Sequence, residues 1–232
     1  MRQRAIVFIV LCVSLVLFFA TSCTALLERA GDVKAVAGSG NVVSETREVS
    51  GFNAVSLRGM GRVIIDQNGS ESLRISADDN FLPYVKTEVR GNTLYIETRD
   101  DAEQVVFTDA GDLTFYISAA ALDSIELAGA GSIEVNDLDT ESWDVSVPGA
   151  GSITVNGRTS EQTVDLRGAG SYNAEDLESQ DATIRSYGAG SVVVRVSDSL
   201  DVTIEGLGSV EYIGNPTVTQ DIQGLGKVSQ RQ

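Results

Sequence analysis

The sequence predicts an all-β chain: a β-solenoid with Gly-x-Gly corners, carrying an N-terminal β-rich insertion. Three observations lead there. A Gly-x-Gly triplet begins at Gly129, Gly149, Gly168, Gly188, Gly206 and Gly224, and is completed by Gly131, Gly151, Gly170, Gly190, Gly208 and Gly226; the intervals are 20, 19, 20, 18 and 18 residues. Apolar residues stand two apart on both sides of each triplet, which is strand spacing and not helical spacing. The composition, with 23 glycines, three prolines and abundant Val, Ile, Ser and Thr, suits strands joined by tight turns.

Taken in chain order, the first element is a targeting segment. Arg2 and Arg4 precede an apolar run from Ala5 to Ala20, and Ala20-Thr21-Ser22 leads into Cys23. The run is shorter than the roughly 20 apolar residues that span a bilayer. The small residues before Cys23 resemble a bacterial lipoprotein signal, which implies that residues 1–22 are removed and that Cys23 is lipidated. Ala20 stands where such signals more often carry Leu. Ordinary secretion with cleavage near Ala20, or an uncleaved anchor helix, stays open. Cys12 lies inside the apolar run, so the exported body would contain no disulfide. Residues 23–44 read as the lipidated Cys and a tether.

The body is expected over residues 45–230. Gly59-Met60-Gly61, with Val55 and Leu57 before it and Val63 and Ile65 after it, is a first copy of the repeat. The next triplet starts 70 residues later, so the array is interrupted at about 66–121. The interruption carries strand patterns at Leu73–Ala77, Tyr84–Val89, Thr93–Thr98 and Leu113–Ile117, with Arg90-Gly91-Asn92 as a hairpin turn. In the array, the position four before each triplet holds Ile125, Val145, Val164, Ile184, Val202 and Gln220. The position four after its first glycine holds Ile133, Ile153, Tyr172, Val192, Val210 and Val228. One unit cannot bury its apolar face alone, but stacked units bury a continuous column. A sandwich of successive hairpins is the alternative that the constant period disfavours. Gln220 and Gln230 turn two columns polar in the last coil, as an edge that must not recruit another strand requires.

Composition then limits the chemistry. The net charge is −16, without clustered basic residues, which argues against nucleic acid. No histidine is present, which removes His-based triads and His-ligated metals. The column Ser132, Ser152, Ser171, Ser191 and Ser209 has no base beside it and reads as a hydroxyl ladder satisfying turn backbone. Glu126 and Asp165 share the position three before the triplet and are the carboxylates to consider for glycan cleavage, although Ser146, Arg185 and Thr203 in the same column suggest plain surface. Asp100, Asp101, Asp109 and Asp112 crowd one segment without forming a calcium loop. Trp143 and Tyr187 are candidate surface aromatics for a sugar strip, whereas Tyr172 and Tyr212 fall in core columns. No catalytic residue, metal site or cofactor is expected.

The stretch FNAVSLRGMGRVIIDQNGSESLRISADDNFLPYVKTEVRGNTLYIETRD at 52–100, followed by the reiterated GAGS, resembles the bacterial head GIN domain family of autotransporter-type adhesins, over roughly residues 45–229. The resemblance implies a pectin-lyase-like β-helix without a conserved catalytic set, and a role in adhesion. The expectation is therefore a non-enzymatic envelope protein held to the membrane through its lipid anchor. Its partner would be an unidentified protein or glycan, and self-association into a homo-oligomer is an open expectation. A periplasm-facing scaffold or envelope-stress component, or a carbohydrate-binding or carbohydrate-cleaving β-helix, are the alternatives.

Overall fold

The computed structural model describes residues 33–98, 104–108 and 113–231. Cys23, the targeting segment and Asp100, Asp101, Asp109 and Asp112 lie outside the described residues. The strands are β1 (Val33–Ala37), β2 (Val42–Arg47), β3 (Ala54–Leu57), β4 (Met60–Gln67), β5 (Ser72–Asp78), β6 (Val85–Arg90), β7 (Thr93–Thr98), β8 (Gln104–Thr108), β9 (Thr114–Ala119) and β10 (Ser124–Leu127), followed by β11 (Ala130–Val147), β12 (Ala150–Leu166), β13 (Ala169–Ser186), β14 (Ala189–Ile204), β15 (Ser209–Ile213), β16 (Thr217–Ile222) and β17 (Lys227–Gln230). A single 3-10 turn at Leu82–Tyr84 is the only helical element among the described residues. The described parts of residues 1–36 and 100–106 form a small unit of their own, contributing to the two-stranded pairing of β1 with β8.

The other unit is a β-solenoid. Each of β11 to β14 makes one coil of 16 to 18 residues and pairs in parallel with the next. The apolar columns read from the sequence are the observed ladders: Ile125 is in register with Val145, Val145 with Val164, Val164 with Ile184, and Ile184 with Val202. All five side chains are buried. Burying each contributes on the order of 1.5–3 kcal/mol, so the stack supplies stability that no disulfide has to.

The triplet glycines serve close approach more than unusual dihedrals. A β-carbon on Gly129 would collide with the Gly59 carbonyl oxygen, and one on Gly168 with the Gly149 carbonyl oxygen. Positive φ occurs at Gly61, Gly131 and Gly151, but at none of the first glycines. Coil length varies without disturbing these corners. Ala130 pairs with Ala150, but beyond Val135 the register slips and Leu138 meets Gly157. A larger slip occurs in the same place between β13 and β14, past Ala174 and Val194. Asp137, at φ 57°, is the only non-glycine with positive φ among the described residues and sits in this second, tolerant corner.

The insertion extends the array where the sequence reading has it interrupting. β7 pairs in parallel with β3, and β9 with β4, so the inserted strands add another layer to the first coil. Antiparallel partners then close the end: β6 folds back on β7 through Gly91-Asn92, while β5 lies on β9 and β2 on β5. Part of the stretch expected to be a tether is thus β1 and the start of β2. Phe81 and Phe107, with ring centroids 4.4 Å apart, fill this end. At the other end Gln220 and Gln230 are exposed, and the Gln230 amide donates to the Gly214 carbonyl at 2.7 Å.

If corner packing is the constraint, Gly149→Ala should destabilise the protein by at least about 2 kcal/mol, because its β-carbon meets the Ala128 carbonyl carbon and oxygen at 2.6 Å. Ser152→Ala, three residues on and half-exposed, should change stability by less than about 0.5 kcal/mol. Urea unfolding of both variants decides it. Equal midpoints would remove the glycine corners from the account.

Candidate binding grooves

The triplet residues from Gly59 to Gly226 line one corner of the solenoid, where backbone stacks on backbone and no chemistry is presented. The serine column beside them points outward. Ser132, Ser152 and Ser171 are half-exposed, and Ser191 and Ser209 are exposed. Among the described residues their hydroxyls make no hydrogen bond to turn backbone, which corrects the expected ladder. The turn N–H groups are satisfied by the coil below instead: Ala150 N–H donates to the Gly129 carbonyl at 3.0 Å and Ala169 N–H to the Gly149 carbonyl at 3.1 Å.

Glu126 and Asp165 do share a groove, of about 450 Å³, on the face formed by β3, β7, β10 and the ends of β11 and β12. Two coil rises separate them, roughly 9–10 Å along the stack. Each carboxylate is engaged. Glu126 accepts from the Ser56 hydroxyl at 2.5 Å and lies 3.4 Å from the Arg58 guanidinium. Asp165 takes a two-pronged contact from Arg167 at 2.9 and 2.8 Å. Arg58 also stacks 4.5 Å from the Tyr95 ring centroid. Each acid is occupied by a guanidinium, so neither is arranged as the proton donor that glycoside cleavage needs.

The aromatic reading of Trp143 is overturned. Trp143 is fully buried, and its indole N–H donates to the Tyr172 hydroxyl at 3.2 Å. Tyr172, buried as its column implies, donates to Gln162 Oε1 at 3.2 Å. Gln162 Nε2 donates to Ser179 Oγ at 2.7 Å, and Ser179 Oγ donates to the Arg195 carbonyl at 2.8 Å. The result is a chain of hydrogen-bonded polar groups through the interior, ending at the Arg195 backbone. Burial pushes the Tyr172 phenol well above its ordinary value of 10, because the phenolate has no water to solvate it. Tyr187 is exposed as expected, with Arg167 5.8 Å from its ring centroid, and Tyr212 is half-exposed at the terminal coil.

The chain ends at a second groove, of about 760 Å³, which none of the expectations from the sequence includes. It runs across successive coils, from Asp139 through Arg158, Glu178 and Arg195 to Asn215. The first four are in register and alternate in sign: Asp139 with Arg158, Arg158 with Glu178, Glu178 with Arg195. Arg158 grips Asp139 by two hydrogen bonds, which lower the Asp139 pKa. Arg195 is half-buried, and its Nε donates to the Glu175 carbonyl at 2.7 Å. Asp139, Arg158 and Glu178 each stand ten before the following triplet and Arg195 stands eleven before its own, so a backward count from the glycines collects three of the four, and only Arg195 is displaced by the further slip between Ser179 and Asp181.

A family model described as "Putative auto-transporter adhesin, head GIN domain" matches residues 51–216. Among solved structures, one described as a "putative adhesin" from Bacteroides fragilis aligns at TM-score 0.68 with 21% identity, covering 84% of this chain and all of its own. Another, described as a "Putative lipid binding protein" from Parabacteroides distasonis, aligns at TM-score 0.50 with 20% identity, covering 86% of this chain and all of its own. At such identities the likeness is one of fold. A comparison with curated proteins finds no match.

Tyr172→Phe should cost about 1–3 kcal/mol, because it strands the Trp143 N–H and the Gln162 carbonyl in the interior. The pH dependence has a definite sign. Folding holds the Tyr172 proton more tightly, so the contribution is present below pH 10 and is lost as pH rises above it. Urea midpoints from pH 7 to pH 11 should therefore fall more steeply above pH 10 in the parent than in Tyr172→Phe. Parallel profiles would contradict the assignment.

Proposed function

Because the chain belongs to the head GIN domain family, we propose that it is a non-enzymatic adhesion or interaction module of the bacterial cell envelope, anchored through lipid on Cys23. The observation that carries this reading is the engagement of the two carboxylates that the sequence offers for glycan cleavage: Glu126 by Ser56 and Arg58, Asp165 by Arg167. Groups held in place by neighbours suit recognition; catalysis by carboxylates asks for one acid kept protonated and another free to attack or activate water.

The fold supports the same reading. Outward side chains of a stacked parallel array repeat at about 4.8 Å and are rigidly held, so each face is an extended recognition surface whose composition can change without altering the core. The acidic chain, with net charge −16, suits a partner that is neutral or cationic over a polyanion. Lipid on Cys23 would place this surface at a membrane, with residues 24–32 between the anchor and the first described strand. Multiple acyl chains make such anchoring durable where one would not.

The decisive test is protease shaving of intact cells, with mass spectrometry for peptides from residues 45–232 and a periplasmic protein as control. Recovery of body peptides while the control stays intact is the expected result. A body protected until lysis would replace surface adhesion with a periplasmic scaffold role. Metabolic labelling with a palmitate analogue should mark the parent protein, and Cys23→Ser should abolish the label. Persistent label in Cys23→Ser would move the anchor elsewhere.

A further inference from the structure

We propose that the groove running from Asp139 to Asn215 binds an uncharged, linear, hydroxyl-rich glycan lying along the stacking axis, with Arg195 and Glu178 as its principal polar contacts. This rests on the reading of the chain as a binding module and specifies its ligand.

The dimensions come first. The groove has a volume of about 760 Å³ and crosses the segments of β11, β12, β13 and β14 before reaching Gly214 and Asn215. Five successive levels at about 4.8 Å give a length of roughly 19 Å. That is a trough for a chain of several sugar units, wider than a monosaccharide needs. Its volume lies in the range of clefts that bury small ligands. Its lining does not resemble theirs: Val196 is the sole aliphatic among the residues lining it, and hydroxyls, amides and charged groups make up most of the rest. With Val196 as its one aliphatic side chain and no aromatic ring, the groove suits a hydroxyl-rich ligand better than an acyl chain or the apolar face of a helix.

The backbone excludes a peptide strand. β12 is hydrogen-bonded to β11 on one side and to β13 on the other, and β13 in turn to β14, so the groove floor offers no open edge for strand addition. Charge excludes a polyion. The column Asp139, Arg158, Glu178, Arg195 alternates in sign at every level. A polyanion that gained at Arg195 would be repelled at Glu178, and a polycation the reverse. A ligand whose every unit carries both donors and acceptors, and no net charge, meets neither penalty.

The polar groups are also available and held in place. Arg158 is committed to Asp139. Among the described residues Glu178 forms no ion pair within 4 Å, and neither does Arg195, whose only side-chain hydrogen bond there is through Nε to the Glu175 carbonyl. The two terminal nitrogens of Arg195 make no hydrogen bond among the described residues, and Arg195 and Glu178 both line the groove. Arg195 is fixed from two sides: by that Nε contact, and by the Ser179 hydroxyl on its own carbonyl. Ser179 is in turn held by Gln162, whose other end meets Tyr172 and, through it, Trp143. This gives the buried polar chain a function: it positions the groove floor before any ligand arrives, so little ordering remains to oppose binding.

The test uses the full-length protein in detergent, titrated calorimetrically with neutral linear hexasaccharides of glucose, mannose and N-acetylglucosamine, with a galacturonate hexasaccharide for comparison. At least one neutral hexasaccharide should bind, its disaccharide about tenfold more weakly or worse. Glu178→Ala and Gln180→Ala, both at exposed groove positions, should each weaken binding by about tenfold, and Arg195→Ala by more. Arg185→Ala, exposed on another face and in register with Asp165, should leave it unchanged. Because Arg195→Ala also removes the contact to Glu175, the two exposed variants decide the outcome if it folds poorly. Binding of none of the neutral probes, binding only of the galacturonate chain, or neutral binding indifferent to Glu178→Ala and Gln180→Ala would each overturn the proposal. Shaving separates this from the adhesion reading. An exposed body that binds no neutral glycan ends the glycan proposal alone. A protected body that binds one through the groove ends surface adhesion alone.

Discussion

Backbone-to-backbone contact at the Gly-x-Gly corner is the constraint on which the rest of the structure depends. Parallel coils stack in register only if each presents nearly the same path to the next, and here the path turns where successive glycines touch. The carbonyl of Gly129 occupies the space a side chain on Gly149 would need, and the carbonyl of Gly149 does the same to Gly168. The same geometry satisfies the corner's polar groups, since the N–H following each first glycine reaches the equivalent glycine carbonyl one coil back. Buried backbone must find partners somewhere, and a corner that finds them in its neighbour can repeat without side-chain help. The serine hydroxyls beside it are consequently left pointing to solvent.

A rigid first corner requires tolerance elsewhere, and the second corner supplies it. Intervals of 18 to 20 residues would throw the apolar columns out of register if the difference accumulated. Instead the slips are confined to the second corner, between Val135 and Leu138 in one coil pair, between Thr154 and Asn156 in the next, and between Ala174 and Glu178 and again between Ser179 and Asp181 in the third, after which the register holds to the next triplet. The inserted strands obey the same rule. β7 and β9 take the registers of β3 and β4, as another coil would, so the extra residues between the first two triplets are accommodated without breaking the ladder. Antiparallel pairing through β2, β5 and β6 then ends the array with strands of opposite direction.

How far the sequence speaks follows from these two corners. Positions counted from a triplet are legible as long as the count does not cross the tolerant corner, and the column Ile125, Val145, Val164, Ile184 and Val202 is legible for that reason. Trp143 lies on the legible side, yet its aromatic ring invites a surface reading that the structure overturns. It stands six before Gly149, on the parity of the buried positions four and two before, and is in register with Gln162, which stands six before Gly168. Extending the same alternation by one step places both inside. A glutamine in that column looks like a surface residue because pattern reading assigns polar groups outward, and only its partners, Tyr172 and Ser179, explain its burial. The charged column of Asp139, Arg158, Glu178 and Arg195 lies past the slip when counted from the preceding triplet, but counted back from the following one its first three members share an offset of ten, and only Arg195, at eleven, is moved by the further slip after Ser179.

The division between core and surface also explains how this fold can vary its outward faces without altering its core. Glycine corners and aliphatic columns fix the stack, while outward positions answer only to solubility and to whatever they touch. Glu126, Ser146, Asp165 and Arg185 occupy one outward column and share no chemistry, which is what a scaffold indifferent to its surface permits. The exception is the place where the interior reaches out. Burying Trp143, Tyr172 and Gln162 together replaces apolar contacts with hydrogen bonds that contribute about 1 kcal/mol each net and cost more when one partner is missing. Aliphatic side chains would have packed the same column at less risk, as Ala182 and Leu200 do further along it. The polar chain occurs where its last member, Ser179, holds the backbone of Arg195, so this departure from an apolar core and the groove from Asp139 to Asn215 are one feature.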